Sequence, residues 1–71
     1  MIFIRLTQVN TKDGDSILVN IAEIKNIKSY PINTKETGCI ITYKDNSVAI
    51  VEENLNQIEL MIKSMSYIHK E

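Results

Sequence analysis

The chain has 71 residues, of which 44% are hydrophobic and 24% charged, a composition typical of a globular chain rather than a disordered one. A chain of this length folds around one small core, and oligomerisation is a common source of additional stability at this size. Eight basic residues oppose nine acidic ones, and Arg5 is the only arginine. A protein that neutralises many phosphates usually has a basic excess or cluster. The charge pattern therefore argues against nucleic-acid binding without excluding it.

Cys39 is the only cysteine, which excludes an intramolecular disulfide and a cysteine-based metal site. It lies in an apolar run, where a thiol usually acts as a small buried hydrophobe. No run of about 18 apolar residues and no secretory signal pattern is present. We therefore expect a cytoplasmic protein without a membrane span.

The first part of the chain predicts a β-hairpin. Residues 2–10 alternate between two faces, with Ile4 and Leu6 on the same side. Residues 12–15 contain Asp-Gly, which supplies the positive φ that a tight turn requires. Residues 16–20 then form the return strand.

The middle of the chain predicts a less regular structure. Residues 21–23 fit one tight helical turn, and residues 23–30 place two isoleucines three positions apart. This spacing departs from strict alternation and predicts a short strand with a bulge or a late start. Residues 30–38 predict a loop, because Pro31 cannot donate a hydrogen bond to a β-ladder.

A second hairpin and a helix follow. Residues 39–44 and 47–51 predict two strands around Asp45-Asn46, since both residue types tolerate the left-handed conformation of a tight turn. After residue 51 the apolar period changes from about 2 to about 3.6 residues, which indicates a helix. Asn54 and Gln57 have the spacing of a capping box. The apolar residues that fall on one helix face are Leu55, Ile58, Met61, Ile62, Met65 and Ile68.

These elements predict a single α+β domain over residues 1–71. It consists of a small antiparallel β-meander of four or five strands, over about residues 2–51. One C-terminal amphipathic helix, over about residues 54–69, packs on the meander through its apolar face.

No residue set predicts catalysis, a cofactor or a metal site. His69 lies two residues from the end of the chain, where it is a poor candidate for an oriented general base. Residues 13–15 lack the bidentate glutamate of a calcium loop. Glu52 and Glu53 are explained by the favourable field at a helix N-terminus. We therefore expect no enzymatic activity and no cofactor.

The back of the predicted helix offers the best candidate contact with a partner. Leu60 and Tyr67 lie seven residues apart and share the side opposite the main apolar stripe, with Lys63 beside them. Isolated exposed apolar residues are common, so this pair is either ordinary surface or a contact site. The predicted site residues are Leu60, Tyr67 and Lys63.

Several short motifs follow one another along residues 4–65. They are Leu6-Thr7 with Asn10, an apolar strand that ends in Asn20, Ile24-x-x-Ile27, a Pro-containing loop, an Ile-x-Tyr strand with a polar turn, and Val51-x-Glu53-Asn54 before an amphipathic helix. This order resembles the FlbD-like family of small flagellar and swarming-motility proteins. The resemblance implies the fold above and an accessory role in motility. Thr11 and Asn46 stand where that family commonly has glycine.

Residues 17–63 are also similar to the later part of LytTR-type DNA-binding domains, although the basic loop residues that would bind DNA there are not evident. We therefore keep two functional hypotheses. The first is a non-enzymatic protein-interaction or assembly module, accessory to a larger assembly and homo-oligomeric, with a dimer favoured. The alternative is a nucleic-acid-binding or transcription-regulatory domain. The first strand carries few inward charges or prolines that would protect an edge, so we expect association through an edge strand, the helix back, or both.

Overall fold

A computed structural model describes residues 2–9 and 15–68 of the chain. The elements in chain order are strand β1 (Phe3–Thr7), strand β2 (Ser16–Asn20), a 3₁₀ turn (Ile21–Glu23), strand β3 (Ile24–Pro31), strand β4 (Thr37–Tyr43), strand β5 (Val48–Val51) and helix α1 (Leu55–Ile68). The predicted α+β class, with five antiparallel strands and one C-terminal helix, is confirmed. The predicted Asp-Gly turn lies outside the described residues.

The strands form two antiparallel sheets, β1-β2 and β3-β4-β5, which meet along a short seam. Gln8 bridges Val51 across this seam. The Val9 N–H donates to the Ile50 carbonyl at 2.9 Å beside the bridge. The order across the described strands is therefore β2-β1-β5-β4-β3, with β2 and β3 at the two ends. The expectation that the first strand offers an edge needs correction only at its end, because Thr7 and the two residues after it face the end of β5. Among the described strands, residues 3–6 pair with β2 alone.

Strand β3 is longer than the sequence pattern predicted. A register shift between Ile24 and Asn26 confirms the bulge. The loop predicted over residues 30–38 is wrong at both ends, because Pro31 pairs with Thr37 and the residues beside them also pair. Proline is compatible with this position since β3 is an edge strand. Only residues 32–36 connect β3 to β4.

The turn between β4 and β5 has the predicted left-handed residue, Asn46, whose φ is 72°. The Asp45 side chain accepts hydrogen bonds from the Ser47 N–H at 2.9 Å and the Ser47 hydroxyl at 2.6 Å. These bonds favour the charged carboxylate and lower the pKa of Asp45. The tight connection places β4 and β5 in register, with Ile41 opposite Ala49.

Helix α1 begins with the predicted capping box. The Gln57 N–H donates to Asn54 Oδ1, and the Asn54 N–H donates to Gln57 Oε1, both at 2.8 Å. Two donors that an uncapped helix would leave without an intrahelical partner are thereby satisfied. This local arrangement explains why the helix starts at Leu55 and follows β5 after only three residues.

The core lies between the inner faces of the two sheets and one face of α1. Its fully buried members are Ile4, Leu6, Val19, Cys39, Ile41, Val51 and Ile58. Ile58 is the helix residue at the centre of this core, whereas Met61, Ile62 and Met65 pack against it from the flank. Leu55, also predicted for the apolar stripe, is 40% exposed at the first turn of the helix. The predicted helix face is therefore confirmed at its centre.

Gly38 allows close packing at the start of β4. A Cβ atom at this position would overlap the backbone carbonyl oxygen of Val51, and it would come within 2.7 Å of Ile32 Cδ1. Because a backbone atom cannot move aside as a flexible side chain can, a residue larger than glycine does not fit here without a shift of the strand.

Candidate interaction surfaces

Glu53 joins the end of β1 to the start of α1. Its Oε1 accepts a hydrogen bond from the Thr7 N–H, and its Oε2 accepts one from the Thr7 hydroxyl, each at 2.9 Å. The last backbone bond of the β1–β5 seam runs from the Glu52 N–H to the Thr7 carbonyl at 2.8 Å. The Glu53 carboxylate therefore takes the next donor of β1 at the point where β5 ends. The interpretation that the helix dipole fully explains Glu53 is wrong.

The residues that carry the family resemblance hold the fold together where they are described. Asn20 Oδ1 accepts a hydrogen bond from the Ala22 N–H at 3.0 Å and so caps the 3₁₀ turn. Asn54 caps α1, and Glu53 binds Thr7. Asn10 lies outside the described residues. These contacts give Asn20, Asn54 and Glu53 structural roles, and they assign no binding residue.

The Cys39 thiol is buried, as the sequence predicted. Burial raises the pKa of this thiol, and the negative charge of Glu53 raises it further. A thiol that holds its proton reacts slowly, since the thiolate is the nucleophile. The geometry therefore gives Cys39 a packing role beneath the β1–β5 seam.

The described part of the chain, residues 2–9 and 15–68, contains no cluster of three or more histidine, cysteine, aspartate or glutamate side chains that could hold a metal ion. Within the same ranges, no helix is both long enough and apolar enough to cross a bilayer.

The sequence predicts three site residues on the helix back. The structure describes the side chains of two of them, Leu60 and Lys63. Leu60 is 67% exposed. Lys63 Nζ forms an ion pair with Glu59 at 3.3 Å, and both side chains are mostly exposed. Tyr67 is within α1, but its side chain lies outside the described residues. Leu60 and Lys63 are thus on the exposed side of the helix.

Hydrogen-bond alternation shows which β2 groups face the open edge. The Gln8 N–H donates to the Asp15 carbonyl at 2.8 Å, and the Ile21 N–H donates to the Ile2 carbonyl at 3.1 Å. In an antiparallel pair, hydrogen-bonded and non-hydrogen-bonded positions alternate. Ser16, Leu18 and Asn20, the even-numbered residues of β2, therefore direct their backbone N–H and carbonyl groups away from β1.

The β2 edge lacks the features that protect sheet edges. Its residues are Ser-Ile-Leu-Val-Asn, with no charge and no proline. Leu18 is 62% exposed on the outer face of the sheet. Phe3, on the neighbouring strand, is 42% exposed. Both residues line a surface depression of about 370 Å³. The β3 edge differs, because it carries two lysines, a bulge and Pro31.

A second depression, of about 470 Å³, lies between α1 and β3. Its lining residues are Ile27, Leu55, Ile58, Glu59, Ile62 and Lys63. The walls are mainly aliphatic, and the Glu59–Lys63 ion pair lies at the helix side. The helix periodicity placed Leu55, Ile58 and Ile62 on the inner face of α1 but did not show that α1 leaves room beside β3.

No family model, curated protein or solved structure matches this chain.

Proposed function

We propose that the chain is a non-enzymatic protein-interaction module that self-associates as a dimer through the β2 edge. The observation that supports this proposal is the open, uncharged strand Ser16–Asn20, with the exposed Leu18 at its centre. An open edge of this kind is a template for pairing with another chain. We further propose that the dimer acts in the cytoplasm as an accessory to a larger assembly.

A two-fold axis through Leu18 gives the simplest pairing. It places the Leu18 N–H and carbonyl opposite the same groups of the second copy. Ser16 then faces Asn20 of the second copy, so that an Asn20 N–H can donate to a Ser16 carbonyl on each side. No charge is brought next to a like charge. The same pairing at β3 would place lysine-bearing strands side by side.

Sedimentation equilibrium tests the dimer. The parent chain is expected to show a mass that rises from monomer to dimer with concentration. Leu18→Lys is expected to remain a folded monomer, because Leu18 is outside the core and the two lysines would repel each other across the axis. Val48→Lys is the matched control, since Val48 is also an exposed apolar strand residue, at 56%. It should associate like the parent.

The helix back is the competing interface. The double change Leu60→Lys and Tyr67→Lys is expected to leave the dimer unchanged. A parent that stays monomeric up to high micromolar concentration would contradict self-association. If the helix-back variant lost the dimer while Leu18→Lys kept it, the proposal that the dimer forms through the β2 edge would be contradicted.

The nucleic-acid alternative makes a different prediction. A DNA-binding domain would show an affinity that falls steeply as salt increases. We expect no such affinity for double-stranded DNA in an anisotropy titration at low salt. Tight, salt-dependent binding by the folded parent would favour the alternative over the assembly module.

Because the chain resembles the FlbD-like family, we propose that the larger assembly is related to motility. A pull-down from the native host, with the parent and Leu18→Lys as baits, tests that setting. Recovery of flagellar or motility proteins with the parent is the expected result. Recovery of none of them would contradict the motility setting while leaving the dimer proposal to its own test.

A further inference from the structure

The β3 edge has a short window of open backbone groups. The Ile32 N–H donates to the Glu36 carbonyl at 3.0 Å, which sets the alternation along this edge. By that alternation Ile27, Ser29 and Pro31 direct their backbone groups away from β4. Pro31 has no N–H to offer, so the donors of the window belong to Ile27 and Ser29.

The same window borders the apolar cleft beside α1. The Ile27 side chain forms one wall of the 470 Å³ depression, and Leu55 and Ile62 line the helix side. Ile27 lies opposite Ile41 of the buried face, so its side chain points inward. A strand added at this edge would direct every second side chain to the same side as Ile27. One such side chain would enter the cleft.

The charge of β3 determines which side chains are favoured on the outer face of an added strand. Lys28 lies opposite Ile40, on the outer side of the sheet, and β3 contains no acidic residue. A residue paired with Lys28 would project on this outer side, where a carboxylate is favoured. A second copy of β3 would instead bring lysines to lysines and a proline to the ladder.

We propose that the β3 edge and the adjoining cleft form a binding site for an extended peptide in which aliphatic and acidic side chains alternate. The backbone of the peptide pairs with Ile27 and Ser29, an aliphatic side chain fills the cleft, and a carboxylate faces Lys28. This site is separate from the β2 edge and does not depend on dimerisation.

A fluorescein-labelled hexapeptide with alternating isoleucine and glutamate is the probe. Fluorescence anisotropy is expected to show saturable binding to the parent, and the binding should be about tenfold weaker for Lys28→Glu, since like charges then face each other. Lys35→Glu is the matched control, because it makes the same charge change in the exposed loop after β3. Its affinity should stay within about twofold of the parent.

A hexapeptide with alternating isoleucine and lysine is the probe of opposite charge. It should bind Lys28→Glu more tightly than it binds the parent. Leu18→Lys should bind the acidic probe like the parent, which separates this site from the dimer interface. No saturable binding of the acidic probe by the parent, or equal losses in Lys28→Glu and Lys35→Glu, would overturn the proposal. A dimer that Lys28→Glu disrupts in sedimentation equilibrium would assign this edge to a second copy and would also overturn it.

Discussion

The Glu53 carboxylate accepts hydrogen bonds from both the backbone N–H and the hydroxyl of Thr7, each at 2.9 Å, although 46 residues separate them in the chain. This pair fastens the first strand to the start of the helix. It also continues the β1–β5 seam beyond the last backbone bond.

The Thr7–Glu53 pair is expected to contribute to stability. Thr7→Val removes the hydroxyl with little change in shape and should lower the free energy of unfolding by about 1–2 kcal/mol. In a double-mutant cycle with Glu53→Ala, the coupling energy should be about 1 kcal/mol. Urea denaturation measures both quantities. Glu52→Ala, at the exposed neighbouring position, should change stability by less than about 0.5 kcal/mol. A coupling energy near zero would contradict the link.

The capping box makes a second prediction about stability. Asn54→Ala should lower the free energy of unfolding by about 1 kcal/mol, because the Gln57 N–H loses its acceptor. Asn56→Ala, at an exposed position inside the helix, is the matched control. It should be neutral or slightly stabilising, since alanine has the higher helix propensity. An unchanged urea midpoint for Asn54→Ala would show that this cap does not stabilise α1.

Gly38 makes a third prediction. Gly38→Ala should destabilise the fold by at least about 2 kcal/mol, because the new methyl group would overlap the Val51 carbonyl oxygen. Thr37→Ala, at the exposed preceding residue, should cost at most about 1 kcal/mol. Thermal unfolding followed by circular dichroism measures the difference. A Gly38→Ala variant with the parent's midpoint would mean that β4 and β5 are not as close as described.

The Cys39 thiol makes a prediction about pH. Its pKa is raised in the fold, so the unfolded chain releases this proton at a lower pH than the native chain does. The Cys39 thiol should therefore not affect stability at a pH below 9.0, the ordinary pKa of a thiol. As the pH rises above that value, the thiol should lower the free energy of unfolding. Tyr43 has a raised pKa and contributes with the same sign. Urea denaturation from about pH 8 to about pH 10.5 should show a shallower fall for Cys39→Ala than for the parent. Equal slopes would contradict the raised thiol pKa.

Local signals explain most of what the sequence predicted correctly. The capping box at Asn54 and the left-handed residue Asn46 depend on neighbours within a few residues. Each is therefore visible in a short window of sequence. The spacing of apolar residues along the helix is also a local pattern, and it predicts which helix face points inward.

Long-range pairing explains what the sequence did not predict. The partner of Glu53 is 46 residues away, and no local pattern indicates it. Pro31 is compatible with a strand only at an outward position of an edge, and this is known only once the strand order is known. For the same reason, the sequence alone does not show that β2 lies at one end of the strand order. The exposure of Leu60 and Lys63 followed from helix periodicity, but the cleft beside Lys63 depends on how α1 lies over β3.

Amide hydrogen exchange at Leu18, measured as a function of protein concentration, tests the proposed self-association most directly. The Leu18 N–H points away from β1, whereas the Ile17 N–H points toward it. We predict that Leu18 exchanges rapidly in dilute solution and becomes protected as the dimer forms, while Ile17 is protected at every concentration. Protection of Leu18 that does not change with concentration would contradict assembly through the β2 edge.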